Sequence, residues 1–247
     1  MMNEGVHFLD AAAPDGMRLY AIGDVHGRFD LLTRMHALIA DELERDRPSD
    51  WRIIHLGDYV DRGPQSAQVL DFLVDATARD KRIVALMGNH DEGMLDFLAS
   101  PADSELFVRY GGFDTAASYG VVLDVQTPQA RADSHRRLLA AMPGAHPLFI
   151  RDLPRSISFG DFFFCHAGVR PGVALDAQSP HDLIWIRGEF LNHPGLFEKV
   201  VVHGHTPHHE PQVMGNRVNV DTAAFDTGRL TALVIDGTEK RFLVAEA

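Results

Sequence analysis

Five apolar runs of this chain end in Asp, Asn or His side chains, and this arrangement restricts the fold more than any other feature. The runs are LYAIGDVHGR (19–28), IIHLGDYVDRG (53–63), IVALMGNHDE (83–92), FFFCHAG (162–168) and VVVHGHTP (200–207). Apolar runs of this kind are typical of buried strands, and open α/β sheets bind ligands where such strands end. We therefore expect the polar side chains of all five stretches to meet in one crevice.

The spacing of apolar residues predicts alternating strands and helices in the first third of the chain. Strands are expected at 17–22, 51–56 and 82–87, and amphipathic helices at 29–45 and 66–78. This order favours right-handed crossovers and a parallel sheet. The second half predicts a β-hairpin over 155–166 and strands at 199–203, 217–220, 229–235 and 241–245. An α/β fold follows, in which a second sheet packs on the first.

The 247 residues are expected to form one domain, because no stretch has the composition of a linker. Residues 1–16 are predicted to be an N-terminal extension and residues 17–247 the domain itself. Around 94–142 the sequence is helical and more polar, with breaks at Pro101 and Pro128. This segment carries no recognisable chemistry, so we interpret it as a helical insertion that shapes the pocket.

The balance of charged residues limits the partners of the protein. The formal net charge is −12, from 35 acidic and 23 basic residues, without a cluster of Lys or Arg. We therefore expect no duplex nucleic acid as a partner, because its binding requires many phosphates to be neutralised. A small phosphorylated substrate is compatible with this charge if metal cations and one or two Arg residues hold the phosphate.

The sequence predicts a cytoplasmic protein without disulfides. Cys165 is the single cysteine, so neither an intrachain disulfide nor a cysteine-rich metal site can form. The first residues lack the basic and apolar regions of a signal peptide, and no run of about 18 apolar residues is present. We therefore expect no membrane partner.

The strand-end side chains include a set of oxygen and imidazole donors. These are Asp24, His26, Asp58, Asn89, His166 and His205. Without a thiolate, the set suits a pair of divalent ions of the Mn, Fe or Zn kind better than a structural zinc or calcium. Such a pair lowers the pKa of bridging water and neutralises phosphoryl oxygens, so the set predicts a hydrolytic centre.

The motifs GDVHG, GDYVDRG, GNHDE, HAG and HGHTP, in this order within residues 18–235, resemble those of the metallophosphoesterases, also called calcineurin-like phosphoesterases. Within that family the chain looks most like the bacteriophage-lambda-type serine/threonine protein phosphatases, with which it also shares LPRSI, IWIR and VDTA. The resemblance implies an α/β/β/α sandwich of two mixed sheets flanked by helices. It also implies hydrolysis of phosphate monoesters by metal-bound hydroxide, with two divalent ions, Mn²⁺ first and Fe or Zn as alternatives. The substrate would be a phosphorylated protein or a small phosphorylated molecule.

The resemblance gives each motif residue a role. The metal ligands would be Asp24 and His26 at metal one, Asp58 as the bridge, and Asn89, His166 and His205 at metal two. His90 would be the general acid, oriented by Asp61, while Arg62 and Arg187 would hold phosphate oxygens. Many family members carry a second His after the GH motif, where this chain has Pro207. Metal one is therefore expected to have fewer protein ligands and more water.

Two other functions remain open at this level. A symmetrical dinucleoside tetraphosphate hydrolase resembles the chain over the same motifs, but that group has GHW in place of GHTP and lacks a counterpart of Asp61. An inactive phosphate-binding scaffold is disfavoured, because every expected ligand is present. His203, His208 and Asp221 either support the site or have ordinary structural roles. The sequence does not determine the oligomeric state.

Overall fold

The structure, a computed structural model, describes residues 5–102 and 104–247, and in this part of the chain ten strands form two five-stranded sheets. The strands are β1 (Met17–Ile22), β2 (Asp50–His55), β3 (Ile83–Ala85), β4 (Ser156–Phe159), β5 (Phe162–Cys165), β6 (Val200–His203), β7 (Gln212–Val213), β8 (Arg217–Asn219), β9 (Arg229–Asp236) and β10 (Glu239–Glu246). The first sheet has the order β10-β9-β1-β2-β3, and the second has the order β4-β5-β6-β8-β7. Both sheets are mixed, because each contains two parallel and two antiparallel strand pairs.

Helices cover the outer faces of the sheets and fill the segment between β3 and β4. They are α1 (Phe29–Asp46), α2 (Ser66–Arg79), α3 (Asn89–Ala99), α4 (Glu105–Arg109), α5 (Gly112–Ser118), α6 (Pro128–Ala141), α7 (Ala145–Arg151), α8 (Asp182–Trp185), α9 (Gly188–Leu191) and α10 (Ala224–Thr227). A 3₁₀ turn spans Leu175–Ala177.

The two sheets pack face to face because the strands are apolar on both sides. In β1, Leu19 lies in the core between the sheets and Tyr20 in the core beneath the helices. In β5, Phe164 faces the first sheet and Phe163 faces outward. Burying one Leu or Phe side chain contributes roughly 1.5–3 kcal/mol, so the shared apolar layer holds the sheets together.

The outer layers complete the sandwich. Leu31 of α1 and Leu70 of α2 are buried against the free face of the first sheet. Ile184 of α8 and Phe190 of α9 are buried against the free face of the second sheet. The predicted α/β fold, with two packed mixed sheets flanked by helices, is therefore confirmed.

The elements that the sequence did not predict are short. They include the two-residue strand β7 and the four-residue helices α8 and α9. Elements of this length are too short to show a helical or alternating period, so only tertiary contacts define them. The third strand is also shorter than predicted, since β3 ends at Ala85 and the chain then turns towards the strand-end crevice.

Between β3 and β4 the described chain forms five helices, α3 to α7, with contacts to one another and to α2. Pro128 is the first residue of α6, and Thr127 Oγ1 accepts the backbone N–H of Ala130 at 3.1 Å. Proline suits the first turn of a helix, and the Thr hydroxyl satisfies a free backbone donor. The proline break in the sequence thus marks a helix start.

The described residues ahead of β1, from Gly5 on, lie against the sandwich. Phe8 and Ala11 are buried in the core between the sheets, and the Val6 amide donates to the Phe197 carbonyl at 2.9 Å. Within the described ranges, no helix is long and apolar enough to cross a membrane.

Candidate active site

The carboxyl ends of strands from both sheets meet at one edge of the sandwich. The predicted side chains there are Asp24 and His26 after β1, Asp58, Asp61 and Arg62 after β2, Asn89 and His90 after β3, His166 after β5 and His205 after β6. Apart from Arg62, each of them is at most 4% exposed. Burying so many polar and ionisable groups is costly unless they pair with each other or bind an ion. The cluster therefore has the character of a functional site.

The backbone of this cluster is strained. Among the described residues, seven non-glycine residues have positive φ, and five of them are His26, Asp58, Asp61, Arg62 and His205. Each such conformation costs about 1–3 kcal/mol and persists only where surrounding contacts impose it. Two motif glycines permit the close packing, since a Cβ on Gly88 would collide with Asp58 and one on Gly204 with Asp24.

One group of the predicted metal-binding side chains lies around Asn89. Its Oδ1 is 2.9 Å from His166 Nε2 and 2.7 Å from His205 Nδ1. His166 Nε2 is also 3.4 Å from Asp58 Oδ2. The Leu56 carbonyl, 3.0 Å from His166 Nδ1, can only accept, so it fixes the proton on Nδ1 and directs Nε2 towards the other donors.

A second group lies on the other side of the Asp58 carboxylate. His26 Nε2 is 3.5 Å from Asp58 Oδ2, while His26 Nδ1 faces the Val60 carbonyl at 2.7 Å. Asp24 accepts the backbone N–H of His205 at 3.1 Å, which ties the end of β1 to the end of β6. Asp58 therefore lies between these two groups of side chains and contacts both.

The protonation of these groups fits divalent cations. Burial lowers the pKa of His26 to about 3 and that of His205 to about 2, so both imidazoles are neutral at neutral pH. Burial also acts on His166, but the carboxylates of Asp58 and Asp24 outweigh it and raise its pKa to about 9. The cluster thus attracts positive charge at the point where the donors converge. Among the described residues, two overlapping groups could hold an ion, namely His26, Asp58 and His90, and Asp58, His166 and His205.

His90, Asp61 and Arg62 form a separate hydrogen-bonded unit beside the donors. His90 Nδ1 is 2.8 Å from Asp61 Oδ2, and Arg62 Nη2 is 3.0 Å from His90 Nε2. The carboxylate places the proton on Nδ1, since it can only accept. Burial works against a charged imidazole, but Asp58 and Asp61 together raise the pKa of His90 above its ordinary value. The unit therefore combines an imidazole, whose orientation the Asp61 carboxylate fixes, with the guanidinium group of Arg62.

Arg187 lies on the other side of the cluster. Its Nε donates to His205 Nε2 at 2.9 Å and its Nη2 donates to the His205 carbonyl at 3.0 Å. The Trp185 ring lies 6.3 Å from the His205 ring, and its indole N–H donates to Glu92 at 3.2 Å. The structure thus brings Arg187 to the exposed rim of the site.

Asp91 supports the site although the sequence analysis gave it no role. Its carboxylate accepts the backbone N–H groups of Gly88, Asp58 and Tyr59, each at 2.9 Å. It therefore fixes the loop that carries Asp58. Its position in the GNHDE motif was the available signal.

Thr115 and Asp221 also support the site. Thr115, in the helical insertion, hydrogen-bonds Asp61 and has no sequence motif that would identify it. Asp221 accepts a hydrogen bond from the Ala223 backbone N–H at 2.9 Å. Burial raises the pKa of Asp24, and the negative charge of Asp221 raises it further. Asp221 thus caps the turn before α10 and acts electrostatically on Asp24.

His203 and His208 lie next to the site but belong to neither ligand group. The His203 ring contacts the Phe190 ring at 5.0 Å, and His208 Nδ1 lies 3.3 Å from Gln212 Nε2. Both histidines therefore have structural contacts of their own.

Comparison with known proteins gives relatives along most of the chain. Residues 17–234 match the family model for calcineurin-like phosphoesterases. A protein of Anoxybacillus flavithermus, named asymmetrical bis(5'-nucleosyl)-tetraphosphatase PrpE, is 26% identical over 229 residues, which cover 86% of this chain and 88% of that protein.

Solved structures share the fold. A crystal structure described as a putative diadenosine tetraphosphatase superposes with a TM-score of 0.64 at 19% identity, over 95% of this chain and 98% of that chain. A serine/threonine phosphatase of Saccharomyces cerevisiae superposes with a TM-score of 0.52 at 15% identity, over 97% of this chain and 85% of that chain. At these identities the similarity shows the fold alone.

Proposed function

Since this chain belongs to the calcineurin-like phosphoesterase family, a family of metal-dependent hydrolases, we propose that it is a serine/threonine protein phosphatase. The reaction is the hydrolysis of phosphate monoesters, and the partner is a phosphorylated protein. The observation that carries this proposal is the buried pair of His90 and Asp61 beside Arg62.

The donor set fits two divalent ions, for which Mn²⁺ is our first choice and Fe or Zn the alternatives. Its members are Asp24, His26, Asp58, Asn89, His166 and His205. When bound, the ions supply positive charge that lowers the pKa of water and offsets the charge of the phosphoryl oxygens.

The side chains of the rim bind and orient the phosphate. Arg62 and Arg187 each present a planar guanidinium group, which suits paired hydrogen bonds to phosphate oxygens. Arg187 contacts His205 and Arg62 contacts His90, so both guanidinium groups lie beside the metal-binding side chains, where we propose that the phosphate binds.

The leaving group explains the need for His90. Serine and threonine side chains depart as strongly basic alkoxides, so their departure requires a proton in the transition state. We propose that His90 gives that proton from Nε2, while Asp61 Oδ2, 2.8 Å from Nδ1, holds the ring. A site for weakly basic leaving groups has less need of such a pair.

The proposal is tested by rates on three substrates with Mn²⁺ present, namely a phosphoserine peptide, a phosphotyrosine peptide and diadenosine tetraphosphate. We expect the highest kcat/KM on the phosphoserine peptide. Comparable efficiency on the tetraphosphate would contradict the proposal. A protein that binds two metal equivalents but turns over none of the three would be the inactive phosphate-binding scaffold.

A dinucleoside polyphosphate is the second candidate substrate. It is favoured by the name of the relative that matches 86% of this chain. The presence of GHTP and Asp61 argued against a symmetrical hydrolase, whereas that relative is named as an asymmetrical one. The products of diadenosine tetraphosphate separate the two kinds, because symmetrical cleavage gives two ADP and asymmetrical cleavage gives AMP and ATP.

A further inference from the structure

The helical insertion contacts the acid pair of the site through one side chain. Thr115 of α5 is fully buried, as are Asp61 and Ser66. Thr115 Oγ1 donates to Asp61 Oδ1 at 2.8 Å and accepts the backbone N–H of Asp61 at 2.8 Å. Ser66 Oγ lies 3.3 Å from the same hydroxyl oxygen.

The number of donors and acceptors fixes the direction of these bonds. A hydroxyl group has one hydrogen and two lone pairs. Because Thr115 gives its hydrogen to Asp61 Oδ1, Ser66 must donate to Thr115, and the Thr115 hydroxyl is then fully used. Asp61 keeps Oδ2 for His90 Nδ1–H at 2.8 Å. A continuous chain of hydrogen bonds therefore runs from Ser66 through Thr115 and Asp61 to the imidazole.

The backbone of the insertion approaches the same residues. A Cβ on Gly111, which has a φ of +121°, would collide with the backbone nitrogen of Arg62 and lie 3.0 Å from Asp61 Cβ. Asp61 and Arg62 have φ values of 71° and 67°. An isolated chain avoids this conformation, so the contacts from Gly111 and Thr115 help to impose it.

We propose that Thr115 is a positioning residue for the general acid. It fixes the Asp61 carboxylate so that Oδ2 holds His90 Nδ1–H and His90 Nε2 faces the departing oxygen. This inference rests on the proposed acid role of His90 and adds a function for the insertion, to which the sequence assigned no chemistry. The Thr115 hydroxyl hydrogen-bonds Asp61 and Ser66, so Thr115 acts through Asp61.

The test compares two substrates that differ in the basicity of the leaving group. Thr115→Val keeps the shape of the side chain and removes the hydroxyl, whereas Thr115→Ser keeps the hydroxyl. On a phosphoserine peptide, Thr115→Val should lower kcat about 10-fold more than on 4-nitrophenyl phosphate, a fraction of the ~10²–10⁴ that general acid catalysis supplies. KM should change little, and Thr115→Ser should recover the wild-type ratio of the two rates.

Ser66→Ala is the matched control. It removes one buried hydrogen bond of the same network but leaves the bond from Thr115 to Asp61 in place. It should change both rates to the same extent. If Ser66→Ala showed the same phosphoserine-selective loss of rate as Thr115→Val, the effect of Thr115→Val would be a general structural one.

Proton NMR gives a readout that does not depend on turnover. The His90 Nδ1 proton, held by Asp61, should give a downfield resonance that is absent in His90→Asn. We expect this resonance to be kept in Thr115→Ser and to move or broaden in Thr115→Val. If Thr115→Val does not fold, Thr115→Ala is measured by the same criteria.

The outcomes separate this inference from the proposed function. If His90→Asn shows no selective loss on phosphoserine, the acid role fails and this inference fails with it. If His90→Asn shows the selective loss while the hydroxyl-free Thr115 variant lowers both rates equally, the role of Thr115 alone is wrong. An unchanged His90 resonance in that variant would also overturn it.

Discussion

The site consists of two regions that the chain holds in different ways. The donor region contains Asp24, His26, Asp58, Asn89, His166 and His205, which directly follow strands of the two sheets. The acid region contains His90, Asp61 and Arg62, and its geometry also depends on α5 through Thr115. The sandwich alone determines the first region, whereas the second requires the insertion as well.

The difference between these regions has a chemical consequence. Donors for metal ions act on every phosphate ester, because the phosphoryl group is the same in all of them. A general acid matters only where the leaving group is strongly basic. Substitutions in the donor region should therefore affect all substrates alike, and those in the acid region should depend on the leaving group.

The largest effect is expected for Asp58→Asn. Asp58 Oδ2 lies 3.5 Å from His26 Nε2 and 3.4 Å from His166 Nε2, so it belongs to both donor groups. Loss of its charge should weaken both metal sites and lower activity by several orders of magnitude on every substrate. Metal analysis of the purified protein and rates on two substrates measure this. Two bound Mn²⁺ equivalents with near-normal turnover would show that Asp58 is not the bridge.

Asp24→Asn is the matched variant within the donor region. Its side chain belongs to the end of β1 and accepts the His205 amide, so its loss should mainly affect metal one. We expect the metal content to fall by about one equivalent, because Asp58 is the proposed shared ligand and Asp24 would bind metal one alone. Loss of both ions in Asp24→Asn would make the two metal sites inseparable.

The next largest effect is expected for His90→Asn. General acid catalysis is worth about 10² to 10⁴ in rate, so the loss on phosphoserine should fall in that range. The loss on 4-nitrophenyl phosphate should be distinctly smaller, because its phenolate leaves without a proton. Both rates are measured where chemistry limits turnover.

The metal content of His90→Asn decides between two roles. The donor atoms of His90, His26 and Asp58 lie within 4.8 Å of one another, so His90 could bind an ion instead of giving a proton. Unchanged metal content, together with a loss of rate that is larger on phosphoserine, supports the role of His90 as general acid. Reduced metal content with equal losses on both substrates would move His90 into the donor region.

Arg62→Ala should have a smaller effect that does not depend on the leaving group. Removal of one group that stabilises charge in a transition state typically costs about 10² to 10³ in rate. Arg62 should contact the non-leaving oxygens, so both substrates should lose the same factor. Arg187→Ala is the control on the other side of the site. A loss confined to phosphoserine would show that Arg62 acts through His90, which lies 3.0 Å away.

The donor region could be predicted from the sequence because its signals are local. Each donor directly follows an apolar run, and the rule that strands of a sheet bind ligands at their carboxyl ends brings separate runs together. Arg187 shows a limit of prediction from residue patterns. Only the family resemblance suggested it, and only the structure places it 2.9 Å from His205.

The support of the acid region could not be predicted. Thr115 is separated from Asp61 by 54 residues, and a threonine in a short helix has no pattern that indicates a contact with a carboxylate. Its role depends on how α5 packs against the loop after β2, which is a tertiary property. The sequence therefore predicted the residues to which we assign the chemistry, but not the side chain that we propose orients them.

Of the substitutions at the motif residues, Asp61→Asn should have the smallest effect, and it tests how the acid region is connected to α5. An Asn side chain has one acceptor oxygen, whereas Thr115 and His90 both donate to Asp61 in the wild type. The amide nitrogen then takes the place of one acceptor oxygen, so either His90 Nδ1–H loses its acceptor or the Thr115 hydroxyl must turn and accept. The loss on phosphoserine should be about 10- to 100-fold, the range typical of groups that orient an imidazole.

A double-mutant cycle with Asp61→Asn and Thr115→Val shows whether the two residues act as one unit. If Thr115 works only by fixing the Asp61 carboxylate, its removal has little left to disturb once that carboxylate is an amide. The double variant should then lose hardly more activity on phosphoserine than Asp61→Asn does alone, as expected for residues in one hydrogen-bond network. Losses that multiply would mean that α5 acts on the site by a route other than Asp61. The insertion and the acid region would then have a second structural connection.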